Sequence, residues 1–373
     1  MAVVLGILIP FGIVEGLAAI ALSIEKRNYK PQMPAEVEAA INEDDRHIPT
    51  LPDPFLTYRV QPEIQRERVQ TNALGLREGP ISTTPAPGTT RILFLGGSVA
   101  WGYTANSNDD TISSYLEAAL EQRAASDPAL AGQRFEVLNG GVPAYVSWQE
   151  ALAYALERRT LGADWVVTLD GTNDVASAII NSRAGVPMRF RATEAAYLAA
   201  QPTLRQALRH WFWSGVGDLR VVKAFERLRP KPLEAYDAPA PTAIADSLAA
   251  SLRYLSDAAE AEQARVLTVL QPMVILPDTK PLAPFEEQIV VAHDRKMPGR
   301  NAYYAETFAV FRETLTALSS ERAPVFAWLD ATDVYRETPE ITYTDHCHLT
   351  PTGRRVLADA IADRLILAFS SGS

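Results

Sequence analysis

Cysteine is almost missing from this sequence of 373 residues, which contains a single one, Cys347. One thiol cannot form a disulfide within the chain, and it excludes any metal centre built from several cysteines. Cysteine usage therefore gives no indication of the redox compartment. Histidine is also scarce, with five residues in the whole chain. A site that depends on histidine consequently has few candidates.

Positive charge is in short supply as well. Lysine and arginine total 35 against 45 aspartates and glutamates, which gives a formal net charge of -10 and a pI near 5.1. Contacts with nucleic-acid phosphates require a basic face, so the composition argues against a nucleic-acid binder and favours small or neutral partners. The hydrophobic fraction of 47% is ordinary for a chain that buries a core.

Long apolar runs are limited to the N-terminus. Residues 1–24 form an almost unbroken apolar run whose only charge is Glu15, and at about 1.5 Å per residue such a run spans the roughly 30 Å core of a bilayer. A signal peptide would show a basic start and a small-residue cleavage site, and the run has neither. A buried core helix is the other alternative. We predict a transmembrane anchor over 1–24.

The rest of the chain is predicted to form an α/β domain behind a spacer. Residues 25–88 are polar and rich in proline, which predicts an extended spacer with little helix. Short β-rich runs then alternate with helical stretches, a pattern typical of parallel strands with helices on both faces. Strands are predicted at 91–95, 135–138, 165–169, 265–270 and 325–329, and helices at 110–125, 148–160, 242–262, 302–320 and 351–368. The fold class is therefore a three-layer α/β/α domain over 89–371 with a central, mostly parallel five-stranded sheet.

A helical insertion is predicted at 175–241, beyond what a five-stranded fold needs. Within it, residues 205–229 combine aromatic side chains, including Trp211 and Trp213, with several arginines. This mixture indicates either a lid that packs its aromatics on the domain or an amphipathic helix at a lipid interface.

The first candidate for chemistry is Ser98. A buried strand runs into Gly96-Gly97-Ser98, which places the serine at the carboxyl end of a strand, where open α/β sheets place their sites. The following residues exclude two related motifs: Tyr103 stands where a phosphate loop requires lysine, and Ala100 stands where a Gly-x-Ser-x-Gly elbow requires its second glycine.

A serine nucleophile needs a base, normally a histidine oriented by a carboxylate. Asp345 and His348 are three residues apart in Asp345-His346-Cys347-His348, so one turn of chain can bring the carboxylate to the imidazole. Aspartate with two histidines is also a possible ligand set for zinc or iron, and this metal site is the rival interpretation. Cys347 is interpreted as a small packed residue.

Three segments resemble sequence blocks of SGNH (GDSL-like) hydrolases, in the same order and spacing as in that family. They are Gly96-Gly97-Ser98, Gly171-Thr172-Asn173-Asp174 and Asp345-His346-Cys347-His348, and the segment Thr71–Arg77 is similar to one that precedes the first block in membrane-anchored bacterial members. The resemblance covers about residues 72–370. It implies the flavodoxin-like SGNH fold, Ser98 as nucleophile, His348 as base with Asp345 as its partner, and Asn173 as an oxyanion donor.

The second block of the family supplies a glycine whose backbone N–H is another oxyanion donor, beside that of Ser98. Here Asn139-Gly140-Gly141-Val142-Pro143-Ala144-Tyr145 places Ala144 at that position, with Gly141 as the alternative. A backbone donor survives the change from glycine only if the conformation accepts a Cβ. The chain also differs from many members in having Gly97 where they have aspartate.

The resemblance implies a serine esterase or deacylase that acts through an acyl-serine, on acetyl or other short acyl esters of surface carbohydrate or small molecules. O-acyl transfer from the same site, a lipid-active esterase, and a non-catalytic glycan-binding component of an export machine are the alternatives. Gln271 and Pro272 follow the fourth strand and are candidates to line the cleft, together with the loop 280–282 and the two tryptophans of the insertion. We expect no cofactor and no metal.

The expected location is the outer face of a membrane, in the periplasm or outside the cell. Lys26, Arg27 and Lys30 follow the predicted anchor, and the positive-inside rule alone would place the domain in the cytoplasm. The family resemblance favours the opposite side, so both orientations stay open.

Overall fold

The protein is described here by a computed structural model that covers residues 33–40, 48–127, 130, 132–190 and 232–370, with four isolated positions (14, 15, 17 and 19). The predicted anchor over 1–24 lies outside these residues apart from the four positions. Within the described ranges, no helix is both long enough and apolar enough to cross a membrane. Residues 205–229, with Trp211 and Trp213, also lie outside the described part of the chain.

A parallel sheet of five strands forms the centre of the domain. Its strands are β3 (Thr89–Gly96), β4 (Arg134–Asn139), β5 (Trp165–Asp170), β6 (Arg265–Leu270) and β7 (Phe326–Asp330), and they lie in the order β4-β3-β5-β6-β7. Ile92 to Leu95 of β3 are fully buried because helices cover both faces of the sheet, which is why the strand is a continuous apolar run instead of an alternating one.

Two layers of helices cover the sheet. The helices are α1 (Ala35–Ala40), α2 (Ser98–Trp101), α3 (Ile112–Ser126), α4 (Ser147–Ala153), α5 (Thr172–Asn181), α6 (Pro241–Ala261), α7 (Pro284–Lys296), α8 (Arg300–Glu321) and α9 (Pro351–Ser370). α3 packs against α9, while α6 packs against α4 and α8. The strand order has its switch point between β3 and β5, because the chain moves outward in opposite directions from this pair. Ligand crevices of doubly wound sheets open at that point.

The structure confirms the predicted three-layer fold and the five predicted strands, whose ends differ by at most two residues. It adds four helices that the sequence patterns did not predict: α1, α2, α5 and α7. α5 begins three residues before the predicted insertion and overlaps its start, and α7 follows the loop after β6.

The predicted spacer is the main correction. From residue 48 onward the chain does not run free but folds onto the domain, beginning with a hairpin of β1 (Thr50–Asp53) and β2 (Thr57–Val60). A small second core joins this segment to the domain; it contains Leu56, Tyr58, Val60, Ile64, Val69, Trp101, Val142, Tyr145 and Ala153. The prolines of this stretch predict an extended chain. Its buried apolar residues lie in runs that are too short to form a recognisable sequence pattern. We call residues 48–78 the N-terminal brace.

Candidate active site

A sharp turn at the end of β3 exposes Ser98 at the switch point of the sheet. Gly96 has a φ of +146°, and a Cβ there would lie 2.6 Å from the Cβ of Ala100. A Cβ on Gly97 would lie 2.1 Å from Nδ2 of Asn173. Gly96 therefore requires glycine, because its φ and its surroundings both exclude a side chain. At Gly97 a side chain would displace the Asn173 amide.

Ser98, His348 and Asp345 form a hydrogen-bonded relay. Oγ of Ser98 lies 2.8 Å from Nε2 of His348, and Nδ1 of that ring lies 2.7 Å from Oδ2 of Asp345. With the Nδ1 proton donated to the carboxylate, Nε2 is left to accept the serine proton. The sequence placed these three residues in one site, and the structure brings them together across 250 positions of chain.

The loop that carries the relay is ordered by its own carboxylate. Oδ1 of Asp345 accepts the backbone N–H groups of Cys347 and His348, both at 2.9 Å. Tyr343 and Leu349 pair as an isolated bridge at the base of the loop. One oxygen of Asp345 therefore shapes the loop while the other orients the imidazole.

The pair sets the protonation state of the base. Burial of His348 opposes its protonation, but the Asp345 carboxylate outweighs burial and raises the pKa of the imidazole well above its usual 6.5. Burial likewise opposes ionisation of Asp345, and the imidazole and the loop N–H groups reverse this and hold its pKa far below the usual 3.8. The carboxylate is therefore ionised throughout the physiological pH range.

Three N–H donors around the hydroxyl of Ser98 are suited to hold an oxyanion. The N–H of Ser98 is the first of helix α2 and has no helical acceptor. Nδ2 of Asn173 lies over Gly97 and donates one hydrogen to the carbonyl of Tyr145 at 2.7 Å, which leaves its second hydrogen. The N–H of Ala144 has no acceptor among the described residues. All three residues are partly open to solvent amid buried neighbours.

The structure distinguishes the two candidates for the second-block donor. The Gly141 N–H donates to Oδ1 of Asn139 at 3.1 Å, and a Cβ on this glycine would lie 2.4 Å from the backbone N of Trp101. The Gly141 N–H is therefore already bonded to Asn139, and the glycine itself packs closely against α2. Ala144 has a φ of +64°, a conformation that glycine adopts at much lower cost. Ala144 therefore has a backbone conformation typical of glycine, and its backbone N–H has no acceptor among the described residues.

Two helix starts are tied together beside these donors. Oδ1 of Asp174 accepts from both the backbone N–H and the hydroxyl of Ser147, at 3.2 and 2.7 Å. Because Asp174 follows Asn173 and Ser147 follows the Ala144 loop, this contact fixes one donor relative to the other.

Three buried acids lie behind the donors: Glu150, Asp170 and Asp174. Burial raises the pKa of all three, most clearly for Glu150, and it raises the pKa of Asp170 to about 7. Oε2 of Glu150 and Oδ2 of Asp170 have no hydrogen-bond donor among the described residues. The neighbouring Asp170 and Asp174 carboxyls also raise the pKa of Glu150, which favours its protonated form. Local sequence patterns do not reveal this cluster, because glutamate in a helix and aspartate at a strand end are ordinary residues until the fold places them together.

A buried ion pair is connected to the loop that carries the relay. Nζ of Lys280 lies 2.6 Å from Oε2 of Glu286, and both side chains are completely buried. The other oxygen of Glu286 accepts the N–H groups of Thr342 and Tyr343, just before Asp345. The sequence placed Lys280 in a loop that could line the cleft; the structure corrects this, because its ammonium group is satisfied inside the protein.

The two other histidines near the relay form a stacked pair. The rings of His293 and His346 lie 4.7 Å apart, and burial lowers the pKa of His293 to about 3. The side-chain ligand atoms of Asp345, Cys347 and His348 lie within 4.8 Å of one another, close enough to share a metal ion. Both ring nitrogens of His348 are already hydrogen-bonded, to Asp345 and Ser98, so a metal there would have to displace the relay.

Gln271 and Pro272 lie at the carboxyl end of β6, as predicted, but both are buried. Nε2 of Gln271 has no hydrogen-bond partner among the residues that the structure describes, and the backbone N–H of Gln271 donates to the carbonyl of Asp170. Their role as substrate contacts stays a prediction.

Comparison with known proteins gives matches among solved structures only: no protein-family model and no curated protein matches the chain. A variant of an acetyl xylan esterase from Geobacillus stearothermophilus is 12% identical with a TM-score of 0.42, over 76% of this chain and 97% of its own. Another acetyl xylan esterase is 12% identical with a TM-score of 0.42, over 74% and 99%. A GDSL-like lipase from Bacteroides thetaiotaomicron is 13% identical with a TM-score of 0.38, over 77% and 93%. Identities and TM-scores this low carry no information about the chemistry of this chain, which follows from its own side chains.

Proposed function

We propose that this chain is a serine esterase of the SGNH (GDSL-like) type, which acts through an acyl intermediate on Ser98. The observation that carries the proposal is the unbroken relay from Ser98 through His348 to Asp345, with unused N–H donors beside the serine. A serine that only packs or caps a helix has no need of a histidine oriented by an ionised carboxylate.

The steps follow from the geometry. As Oγ of Ser98 attacks the ester carbonyl carbon, its proton passes to Nε2 of His348, and the C=O π electrons move onto oxygen. The N–H groups of Ser98, Ala144 and Asn173 receive that oxyanion. The intermediate collapses by breaking the bond to the alkoxy group, which takes the proton from His348. Water, activated by the same nitrogen, then attacks the acyl-serine and releases the acid.

The size of the oxyanion contribution can be given in order of magnitude. Loss of one such donor typically lowers kcat by about 10²- to 10³-fold, because the donors are held in place before charge develops. Here Asn173 is held by the Tyr145 carbonyl, and its helix by the contact between Asp174 and Ser147. This preorganisation supports the assignment of Asn173 as a donor.

The proposed substrates are neutral short-chain esters, including acetylated carbohydrate, which suits a chain of net charge -10. Transfer of the acyl group to a sugar hydroxyl would use the same intermediate with the sugar in place of water. The position of the domain on the outer face of a membrane, behind an anchor at 1–24, also stays a proposal. A reporter fusion on each side of the anchor tests it.

A fluorophosphonate tests the class of enzyme directly. We expect one adduct per chain, located on Ser98 by mass spectrometry, and turnover of short p-nitrophenyl esters that falls by about 10⁴-fold or more in Ser98→Ala. A chain-length panel defines the acyl group, and product analysis with a sugar acceptor separates transfer from hydrolysis. Equal ester turnover in wild type and Ser98→Ala would refute the proposal.

A further inference from the structure

The nucleophile helix α2 is a single turn that cannot hold itself in place. The carbonyls of Ser98 and Val99 accept the N–H of Gly102 at its end. The next two carbonyls, those of Ala100 and Trp101, receive no backbone N–H within the described ranges. One helical turn is unstable in isolation, because forming it orders several residues for few hydrogen bonds. Its orientation must come from other groups.

Two side chains supply donors to the free end of this helix. Nδ2 of Asn139 donates to the carbonyl of Ala100 at 3.1 Å. Nη1 of Arg77 donates to the carbonyl of Trp101 at 3.0 Å and to that of Gly102 at 2.7 Å. Arg77 belongs to the N-terminal brace, the part of the chain that the sequence pattern assigned to a spacer.

The rest of the Arg77 guanidinium binds the surrounding chain. Nη2 donates to the carbonyl of Arg68 at 2.8 Å, and Nε donates to Oδ1 of Asn108 at 3.2 Å. The side chain is 1% exposed, and its guanidinium lies 5.4 Å from the centre of the Trp101 ring. A planar fork with five N–H donors can join these segments at once, whereas the ammonium group of lysine has no such geometry.

We propose that Arg77 is the positioning residue of the nucleophile: it holds α2 from its carboxyl end so that Ser98 meets both His348 and the oxyanion donors. This inference rests on the proposed esterase function for its kinetic consequence. The N–H end of α2 has to stay free for the oxyanion, so the helix is anchored at the opposite end. A displacement of about 1 Å at a reacting atom costs roughly 10²-fold in rate.

A second buried arginine provides a matched control. Arg91 is also 1% exposed, and it also donates to backbone carbonyls, those of Thr83 and Leu161. Its Nε pairs with Oε2 of Glu136 at 2.7 Å. Arg91 lies near the start of β3, at the opposite end of the sheet from Ser98. Replacement of either arginine disturbs a buried guanidinium, but only one of them contacts α2.

The kinetic test compares Arg77→Lys with Arg91→Lys in the full chain. We expect Arg77→Lys to lower kcat by roughly 10- to 100-fold with KM changed by less than about threefold, because the fault lies in the reacting geometry. The rate of fluorophosphonate labelling of Ser98 should fall in parallel, while the final stoichiometry stays that of wild type. Arg91→Lys should keep the wild-type kcat even if its melting temperature falls as much. Addition of guanidine at millimolar concentration to Arg77→Ala should restore part of kcat.

Amide hydrogen exchange tests the positioning without reference to activity. We expect faster exchange over residues 97–103 in Arg77→Lys than in Arg91→Lys. If wild type neither cleaved esters nor reacted with fluorophosphonate, the esterase proposal would fail. The exchange comparison would still test whether Arg77 holds α2 in place. Equal exchange over 97–103 in the two variants would overturn the inference, as would a loss of kcat in Arg91→Lys equal to that in Arg77→Lys. If Arg77→Lys did not fold, the same comparison would be made with Arg77→Met and Arg91→Met.

Discussion

The two ends of the central sheet differ in whether their polar groups have hydrogen-bond partners within the protein. At the amino end, Arg91 of β3 pairs with Glu136 of the neighbouring β4, and its backbone N–H donates to Oδ2 of Asp164 at 2.8 Å, just before β5. At the carboxyl end, the backbone N–H groups of Ser98 and Ala144 have no acceptor among the described residues. The polar groups named at the amino end bond within the protein, while these two donors at the carboxyl end stay without an acceptor in the described part of the chain.

Buried acids follow the same division. Glu150 and Asp170 are buried behind the donors of the carboxyl end, and burial raises the pKa of both. Positive φ angles, in contrast, occur at both ends: Gly96 and Ala144 at the carboxyl end have φ values of +146° and +64°, and Gln263 at the amino end has +64°. Buried acids cost stability and are found at functional sites. They therefore indicate that the carboxyl end gives up stability for preorganised chemistry.

The largest expected effect is at the relay. Asp345→Asn should lower kcat by about 10⁴-fold, because the imidazole loses the acceptor that fixes its tautomer. The base acts in its neutral form, so wild-type activity falls as pH decreases through the His348 pKa, which Asp345 raises above 6.5. The acid limb of kcat/KM should therefore lie above pH 6.5 in wild type and move to lower pH in the variant.

Asp164→Asn is the control from the amino end. It should cost about 1 kcal/mol of stability through a weakened hydrogen bond to the Arg91 N–H and leave kcat unchanged. The distinction between the two ends would be lost if this variant reduced kcat as strongly as Asp345→Asn, or if the acid limb did not move.

Gly97→Ala is expected to have the next largest effect. Its Cβ would lie 2.1 Å from Nδ2 of Asn173, so the oxyanion donor must move, and kcat should fall by about 10²- to 10³-fold. Gly79→Ala is the matched substitution, because a Cβ there meets nothing within 4 Å. Ester turnover and melting temperature measured on both variants test the prediction. Turnover within about twofold of wild type in Gly97→Ala would contradict the assignment of Asn173.

Glu150→Gln should change stability more than activity. The folded acids keep a proton that the unfolded chain releases above about pH 4. The folded state then binds more protons than the unfolded state between there and pH 7, the pKa of Asp170. The free energy of unfolding therefore falls as pH rises through this window. Glutamine does not titrate, so the fall should be smaller and the melting temperature at pH 8 higher than in wild type.

Melting curves between pH 4 and pH 8 test the Glu150 prediction, with Glu287→Gln as control because Glu287 is exposed. A pH dependence identical to that of wild type in Glu150→Gln would show that Glu150 does not keep a proton in the folded state.

The smallest expected effect is that of Ala144→Gly. Relief of the positive φ should raise the free energy of unfolding by about 1 kcal/mol, since an L-residue pays this amount in the left-handed region. The backbone N–H is retained, so kcat should stay within about threefold of wild type. Denaturant unfolding and ester kinetics on the same samples measure both. A large loss of kcat would show that the methyl group of Ala144, and not only its N–H, takes part in the site.

Most of the sheet could be predicted from the sequence, because buried parallel strands appear in it as short apolar runs, as in Ile92 to Leu95. Ser98, Asn173, Asp345 and His348 could be named for a similar reason: each stands in a short local motif. The hairpin of the brace could not be predicted, since β1 carries a proline and strands of four residues are too short to show a period. Helix α7 was missed because its apolar residues are sparse among charged ones.

The sequence by itself determined which residues are able to carry acyl-serine chemistry, because nucleophile, base and carboxylate are chemical identities that motifs record. Tertiary structure alone decided three matters. It selected Ala144 over Gly141 as the available donor, since only a folded chain shows which N–H is already used. It placed Glu150 against Asp170. It also turned Arg77 from a residue before the first block into the support of the nucleophile helix. The choice of donor depends on the folded geometry of a short loop, and the other two depend on contacts between distant segments. Local sequence patterns encode neither.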